Sequence, residues 1–222
     1  KTNIGVYMAQ GFQIPDLMLE IGRLREKVFR TVNEGTGKSC DVDEFDAFYH
    51  HIVAIEEDSK RVLGAYRVGL LDKILKSMGV DGLYTYTLFK YDGLVHSHFM
   101  DAMEFGRSFV DDEAGRAALR ALDSIWKGIG AFLAQNPQYR YLMGPVSMSA
   151  SLPAPARDLL VAFYKLHFSP RWPLARSRQP YANGSLDIAG QFIEQDYQQD
   201  LSILKSMLDN LGCGIPTLYK QY

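Results

Sequence analysis

The stretch Met103-Glu104-Phe105-Gly106-Arg107-Ser108-Phe109-Val110 constrains this chain more than any other. Its aromatic and apolar residues mark a strand, yet it holds a carboxylate and a guanidinium three positions apart. A buried strand keeps two charges only when they are paired or serve a site. Positions three apart face opposite sides of a regular strand. Glu104 and Arg107 therefore cooperate only across a bulge, which Gly106 between them permits. Without a bulge, one charge lines a pocket and the other pairs elsewhere. An amphipathic helix follows at once, from about Ala114 to Ala134.

The rest of the chain supplies a sheet for this strand to join. Ile4 to Met8 alternates as a first strand. Pro15 and Asp16 open a helix to about residue 30, with Leu17, Met18, Ile21, Leu24 and Val28 at helical spacing. Thr31 to Tyr49 is polar and reads as a loop. His51 to Glu56 and Val62 to Leu71, joined by Glu57-Asp58-Ser59-Lys60, read as a hairpin. Asp72 to Met78 is a short helix ended by Gly79, and Leu83 to His98 suits either a strand or a packed loop. Tyr139 to Met148 is a strand holding Gly144-Pro145, where a bulge, an edge or a parting of two strands is expected. Pro153 opens a helix through about His167, Phe168 to Gly184 is irregular, and a last helix runs from about Ala189 to Leu211. This order predicts an α/β (α+β) chain with a mixed, largely antiparallel sheet flanked by helices. Residues 1–150 form its core, and 151–222 a mostly helical extension packed on that core.

Several function classes are disfavoured. A net charge of −2 does not mark a nucleic-acid binder. Cys40 and Cys213 make no disulfide framework, which suits a reduced, intracellular setting. No run of eighteen apolar residues marks a membrane span. The start at Lys1 leaves room for a preceding segment, and the apolar, turn-like ending reads as cut: either a fragment is expected or an end whose last strands are replaced. His50-His51 and His96-x-His98 have no cysteine at ligand spacing. The acidic loop lacks the glycine and late glutamate of a calcium loop, so no metal is expected. Neither a Gly-x-Ser-x-Gly elbow nor a Gly-x-x-x-x-Gly-Lys-Ser/Thr loop is present.

Four charged clusters remain: Arg25 in Leu24-Arg25-Glu26-Lys27-Val28-Phe29; Asp41, Asp43 and Asp46 in Cys40-Asp41-Val42-Asp43-Glu44-Phe45-Asp46; Arg67 in Leu63-Gly64-Ala65-Tyr66-Arg67-Val68; and the Glu104, Arg107 pair. An arginine inside a hairpin strand either snorkels to solvent or forks a carboxylate or phosphate. The aspartates are either solvated and capping, or partnered. The charges as a set form either a structural ion network under the loop or a site.

Arg25-x-x-x-Phe29, Asp43-x-x-Asp46, Arg67 and Glu104-x-x-Arg107 resemble, in order and internal spacing, the charged signature of the acyl-homoserine-lactone synthases. The wider wording is similar to the bacterial acyltransferases labelled hemolysins, relatives of the ornithine-lipid and glycine-lipid N-acyltransferases. Gly64-Ala65-Tyr66-Arg67, Glu104 to Val110, Ile125-Trp126-Lys127-Gly128-Ile129 and Gly144-Pro145-Val146-Ser147 carry that likeness. It covers roughly residues 20 to 150, with a looser echo in Ile215 to Lys220. The resemblance implies a GNAT-like fold and acyl transfer from a thioester to an amine, with acyl carrier protein as the usual donor. GNAT acetyltransferases open the central helix on a glycine-rich pyrophosphate loop. Here Asp112-Glu113-Ala114-Gly115-Arg116 brings two acids and one glycine. Acids repel a pyrophosphate at a helix N-terminus, which favours the phosphopantetheine of acyl carrier protein over acyl-coenzyme A.

On this resemblance Glu104 is the general base and Arg107 tunes it. Arg67 or Arg25 holds the carboxylate of an amino-acid acceptor, and Asp43 and Asp46 bind its ammonium or lock Arg25. Phe29 belongs to the Arg25 motif. A backbone N–H near Phe109 or Ser147, where strands part, serves the oxyanion. The implied reaction moves a long-chain acyl group, 3-hydroxylated ones included, from carrier protein to an amino acid or small amine, as in aminolipid synthesis. The alternatives are a noncatalytic carrier- or lipid-binding module and a signal synthase. The synthase reading is disfavoured because no tryptophan follows Phe29 in the loop. Residues 153–182 hold Arg157, Lys165, Arg171, Arg176 and Arg178 against Asp158 alone, with Phe168, Trp172 and Tyr181 interleaved. Such a stretch docks an acidic carrier protein or anionic lipid heads, or is simply a solvated face. The expected location is the cytoplasm, with room for peripheral contact at the inner membrane face.

Overall fold

The computed structural model describes residues 3–93, 99–171, 174–182, 190–193 and 196–221. Two units are distinguished: Lys1–Phe89 with Gly93–Pro145, and Lys90–Asp92 with Val146–Tyr222. His96, His98, Trp172 and the expected start of the last helix lie outside the described residues.

The first unit is a five-stranded sheet of β1 (Ile4–Gln10), β2 (His50–Glu56), β3 (Arg61–Leu70), β5 (Ala102–Val110) and β6 (Tyr141–Met143), in the order β1-β2-β3-β5-β6. Every pairing is antiparallel except β5 with β6, which is parallel. The hairpin forms where its turn residues put it, running from His50↔Val68 to Glu56↔Arg61. Pro15 is the first residue of α1 (Pro15–Thr31), where its missing N–H costs nothing. α2 (Leu71–Met78) stops at Gly79, whose φ of 65° a side chain rarely adopts. α3 (Arg116–Gln135) is the crossover between the parallel strands β5 and β6.

Period-two alternation sorts the strand residues to two faces. Ile52, Ala54, Tyr66, Val68, Met103 and Phe105 join Ala121, Ile125 and Ile129 of α3 in one core. Val53, Val62, Ala65 and Phe109 join Met18, Ile21 and Leu24 of α1 in the other. The irregular segment between α1 and β2 approaches α1 closely: Asp41 N donates to Gly22 O at 3.0 Å. A Cβ on Gly22 would lie 2.5 Å from Cys40 Sγ, so a glycine is what admits this loop.

Two expectations are corrected. The strand expected over Tyr139 to Met148 covers only Tyr141–Met143. Next in the chain, Gly144 packs against the carbonyl of Phe105, closer than a side chain would allow, and Pro145 has no N–H to extend the ladder. The expected bulge in β5 exists, since Tyr66 falls opposite two residues between the pairs Ala65↔Phe109 and Arg67↔Gly106. Its left-handed residue, however, is Arg107 with φ 52°, not Gly106.

The second unit contains α4 (Ala154–Phe168), α5 (Tyr197–Asn210), α6 (Thr217–Gln221), β7 (Ala175–Ser177) and, from its partner strand β4 (Phe89–Tyr91), Lys90 and Tyr91. Ala156, Leu159, Leu160, Phe163, Phe192, Leu204, Leu208 and Ile215 fill its core. Asp196 caps α5 by accepting from the N–H groups of Gln198 and Gln199. Buried Asp200 takes His167 Nε2 at 2.9 Å and Ile193 N at 2.7 Å. Among the described residues no helix is long and apolar enough to cross a membrane.

Candidate active site

The first unit gathers sequence-distant charges into one cluster. Arg25, on α1, is 1% exposed. Its Nη1 and Nη2 reach the two carboxylate oxygens of Asp46 at 3.1 and 2.7 Å, and Nε reaches Asp41 Oδ2 at 3.0 Å. Nη2 also donates to the Asp41 carbonyl. Each donor nitrogen of Arg25 is thus taken by the loop, leaving it no fork for a substrate. Of the two roles expected for Asp46, locking Arg25 is the one its geometry serves.

Arg67 projects from β3 beside it and is 1% exposed, so it does not snorkel. Its Nη1 donates to Asp43 Oδ1 at 2.5 Å and to Asp46 Oδ1 at 3.2 Å. The guanidinium sits 4.8 to 5.7 Å from the rings of Tyr84, Tyr49 and Phe45, a cation–π cage. Its Nη2 has no hydrogen-bond partner. Arg107 reaches the same place through the bulge. Its Nη1 lies 3.5 Å from Asp41 and its Nη2 3.4 Å from Asp43, and it stands 5.4 Å from the Tyr84 ring. Arg107 Nε likewise has no partner. Arg107 and Asp43 are the accessible members, 20% and 25% exposed. Three guanidinium groups meet three carboxylates, so the cluster is formally balanced.

Burial disfavours a charged Asp46, but hydrogen bonding and charge from Arg25, then Arg67, outweigh it and hold its pKa at about 2. His51 pairs across the hairpin with Arg67. Its Nε2 lies 3.0 Å from the Asp46 carbonyl, and a carbonyl only accepts, so Nε2 carries the proton. Burial lowers the His51 pKa.

Glu104 and Arg107 do not pair with each other. Glu104 is 1% exposed. It accepts Thr85 N at 2.7 Å, Tyr84 N at 3.2 Å and the hydroxyl of Tyr49. Burial, then Glu104, push the Tyr49 phenol far above its ordinary range, so it stays a donor. Glu104 thereby fixes the turn that carries Tyr84, the ring between Arg67 and Arg107.

Beyond the pair Glu104↔Met143, residues 105–110 of β5 have no strand partner on the β6 side among the described residues. Parallel strands that part beside a buried carboxylate leave backbone donors for an oxyanion. Phe29 and Phe109 enter the apolar cluster under α1 instead of the ion network. Ser147 falls in the second unit. Of the two acids expected ahead of α3, Glu113 is ion-paired, as is the neighbouring Asp111. Asp111 binds Lys27 at 3.1 Å and Arg61, and Glu113 binds Lys27 at 2.7 Å.

Sequence reasoning missed Tyr49 and Tyr84 and left Asp41 out of the site. The aromatic run Tyr84-Thr85-Tyr86 was the available signal. Among the described residues no group of three metal-ligating side chains occurs.

The family described as "Acetyltransferase (GNAT) domain" matches residues 24–126. A "Glycine N(alpha)-acyltransferase" of Bacteroides thetaiotaomicron is 33% identical over all of this chain and 69% of its own length. A protein of the same name from Phocaeicola vulgatus is 31% identical over all of this chain and 72% of its own length. The crystal structure of the AHL synthase LasI aligns with 65% of this chain and 72% of that one, at 16% identity and a TM-score of 0.43, too distant to bear on function. With identity running the whole length and a mixed sheet whose parallel strands part beside a charged cluster, the chain belongs to the family of GNAT-domain acyltransferases that includes these glycine N-acyltransferases.

Proposed function

We propose that this acyltransferase moves a long-chain acyl group from the phosphopantetheine of acyl carrier protein to the amine of glycine, giving an N-acyl amino acid of the kind used in aminolipids. The observation that carries the acceptor reading is the pair of unpartnered donors, Arg67 Nη2 and Arg107 Nε, either side of Tyr84. A carboxylate satisfies both, and Asp43, the most exposed carboxylate of the cluster, takes the ammonium. A zwitterion leaves the balance of three cations and three anions unchanged. The relatives' name supplies glycine as the acceptor.

The attacking amine must lose a proton. Three donors occupy Glu104, and a carboxylate has about four acceptor positions. The remaining one, on Oε1, accepts that proton in this scheme, while backbone N–H groups of β5 past Glu104 meet the oxyanion; as the tetrahedral intermediate collapses the C–S bond breaks and the phosphopantetheine leaves as its thiol, taking that proton. For the donor, the single phosphate of phosphopantetheine demands less of the start of α3 than a pyrophosphate does, and Asp112 with half-neutralised Glu113 stands there.

The test is incubation with carrier protein loaded with defined acyl chains and an amino-acid panel, with amide products read by mass spectrometry. Acylglycine is expected as the main product. Glu104→Gln should lower kcat about 100-fold while carrier binding persists. Ethanolamine, which lacks the carboxylate, should be a poor acceptor; equal use of ethanolamine and glycine would remove the arginine anchor from the scheme. Equal turnover with acyl-coenzyme A would remove the carrier preference.

A further inference from the structure

The second unit holds a groove of its own, about 350 Å³, which is within the size range of small-molecule sites. Met148, Leu160, Val161, Tyr164, Phe168 and Tyr219 give it an apolar, partly aromatic wall. No carboxylate lines it. Its one charged wall residue is Lys165, exposed on α4. Arg171 follows the lining residue Pro170, and Lys220 follows the lining residue Tyr219, both exposed. None of these three cations is ion-paired with a described residue. Elsewhere, exposed cations such as Arg23, Lys60 and Lys127 each hold a glutamate or aspartate at 2.6 to 2.8 Å. Phe168 forms the lip and is 58% exposed, much for a phenylalanine beside a ready-made apolar trough.

We propose that this groove binds one aliphatic chain bearing an anionic head, the chain along the aromatic wall and the head toward Lys165, Arg171 and Lys220. The volume suits a single chain of about a dozen carbons at ordinary packing density. The unopposed cations choose a carboxylate or phosphate head over a neutral or cationic one. N-acyl amino acids and free fatty carboxylates both belong to this class. The inference does not require the acceptor reading of the first unit.

Calorimetric titration of the full chain with dodecanoate, dodecan-1-ol and dodecyltrimethylammonium, each below its micelle concentration, tests it. Dodecanoate should bind at least about fivefold more tightly than the alcohol, and the cation most weakly. Lys165→Glu should weaken dodecanoate about fivefold and leave the alcohol unmoved. Val161→Trp, which fills the trough, should weaken all three, with circular dichroism reporting that the helices persist. Glu104→Gln should leave dodecanoate binding intact, which separates this groove from the proposed chemistry. Equal affinity for the three probes, or dodecanoate binding indifferent to Lys165→Glu or to Val161→Trp, overturns the proposal. Capture on phosphatidylglycerol vesicles without binding of monomeric dodecanoate also overturns it, and assigns the patch to a bilayer surface.

Discussion

Asp46 is the carboxylate on which the ion cluster turns, so Asp46→Asn is the most informative single change. Asp46 is 1% exposed and bonds Arg25 twice, Arg67 once and the Asp43 N–H at 2.8 Å. Asparagine keeps the shape but removes the charge, leaving two buried guanidinium groups short of a counter-ion. Breaking a buried pair from one side costs about 3 kcal/mol or slightly more. The pH dependence gives a second, independent number. The folded pKa of about 2 lies below the ordinary aspartate value of 3.8, a depressed carboxylate. Its contribution is therefore fully present above about pH 4 and is lost as pH falls through about 2. A gap of that size corresponds to about 2 to 3 kcal/mol. Glu26 titrates in the same range, held at about 2 chiefly by the Thr36 hydroxyl. The quantity to measure is thus the difference between wild type and variant, from urea midpoints taken between pH 7 and pH 2. The variant should be less stable at pH 7 and should approach wild type below pH 3. A penalty under about 1 kcal/mol at neutral pH, or a difference that does not shrink on acidification, refutes the account of the cluster.

Arg107→Gly relieves a left-handed residue but deletes a donor. The strain relieved, about 1 kcal/mol, offsets part of the loss of its ion pairs to Asp41 and Asp43, so stability should fall by less than for Asp46→Asn, while KM for glycine rises at least about tenfold. A fall in stability with unchanged KM would make the bulge purely structural. Gly144→Ala drives a methyl group into the Phe105 carbonyl, so it should cost about 2 kcal/mol or more and loosen the short parallel pairing at Met143. Amide exchange at residues 141–143 measures that loosening, and unchanged protection there contradicts it.

The hairpin and α1 were legible because their evidence is local. A period of two flanks a polar turn at Glu57 to Lys60, and Pro15 opens a run of apolar residues at helical spacing. Arg25, Asp43, Asp46, Arg67 and Arg107 were legible as charges too costly to be incidental. Their wiring was not. Which aspartate takes which arginine depends on a loop whose bonds span sixteen to sixty-four positions and follow no period. Glu104 looked like a partner for Arg107 by proximity in sequence, but the fold gives it Tyr49, 55 positions away. Gly106 marked where a bulge was permitted, not which residue would carry the strain. β6 read longer than it is because the apolar run continues past Met143, while the ladder stops before Gly144-Pro145.

The segment between α1 and β2 has neither helix nor strand through residue 49, yet it is fastened along its length. Glu26 receives Thr36 and Gly37, Arg25 grips Asp41 and Asp46, and Tyr49 is tied to Glu104. Irregular segments of this length usually offer proteases their first cut. Here the tethers withhold the extended conformation a protease needs, so limited proteolysis should open other parts of the chain first, and any ligand of the charged cluster would meet a wall already in place instead of one that must close over it.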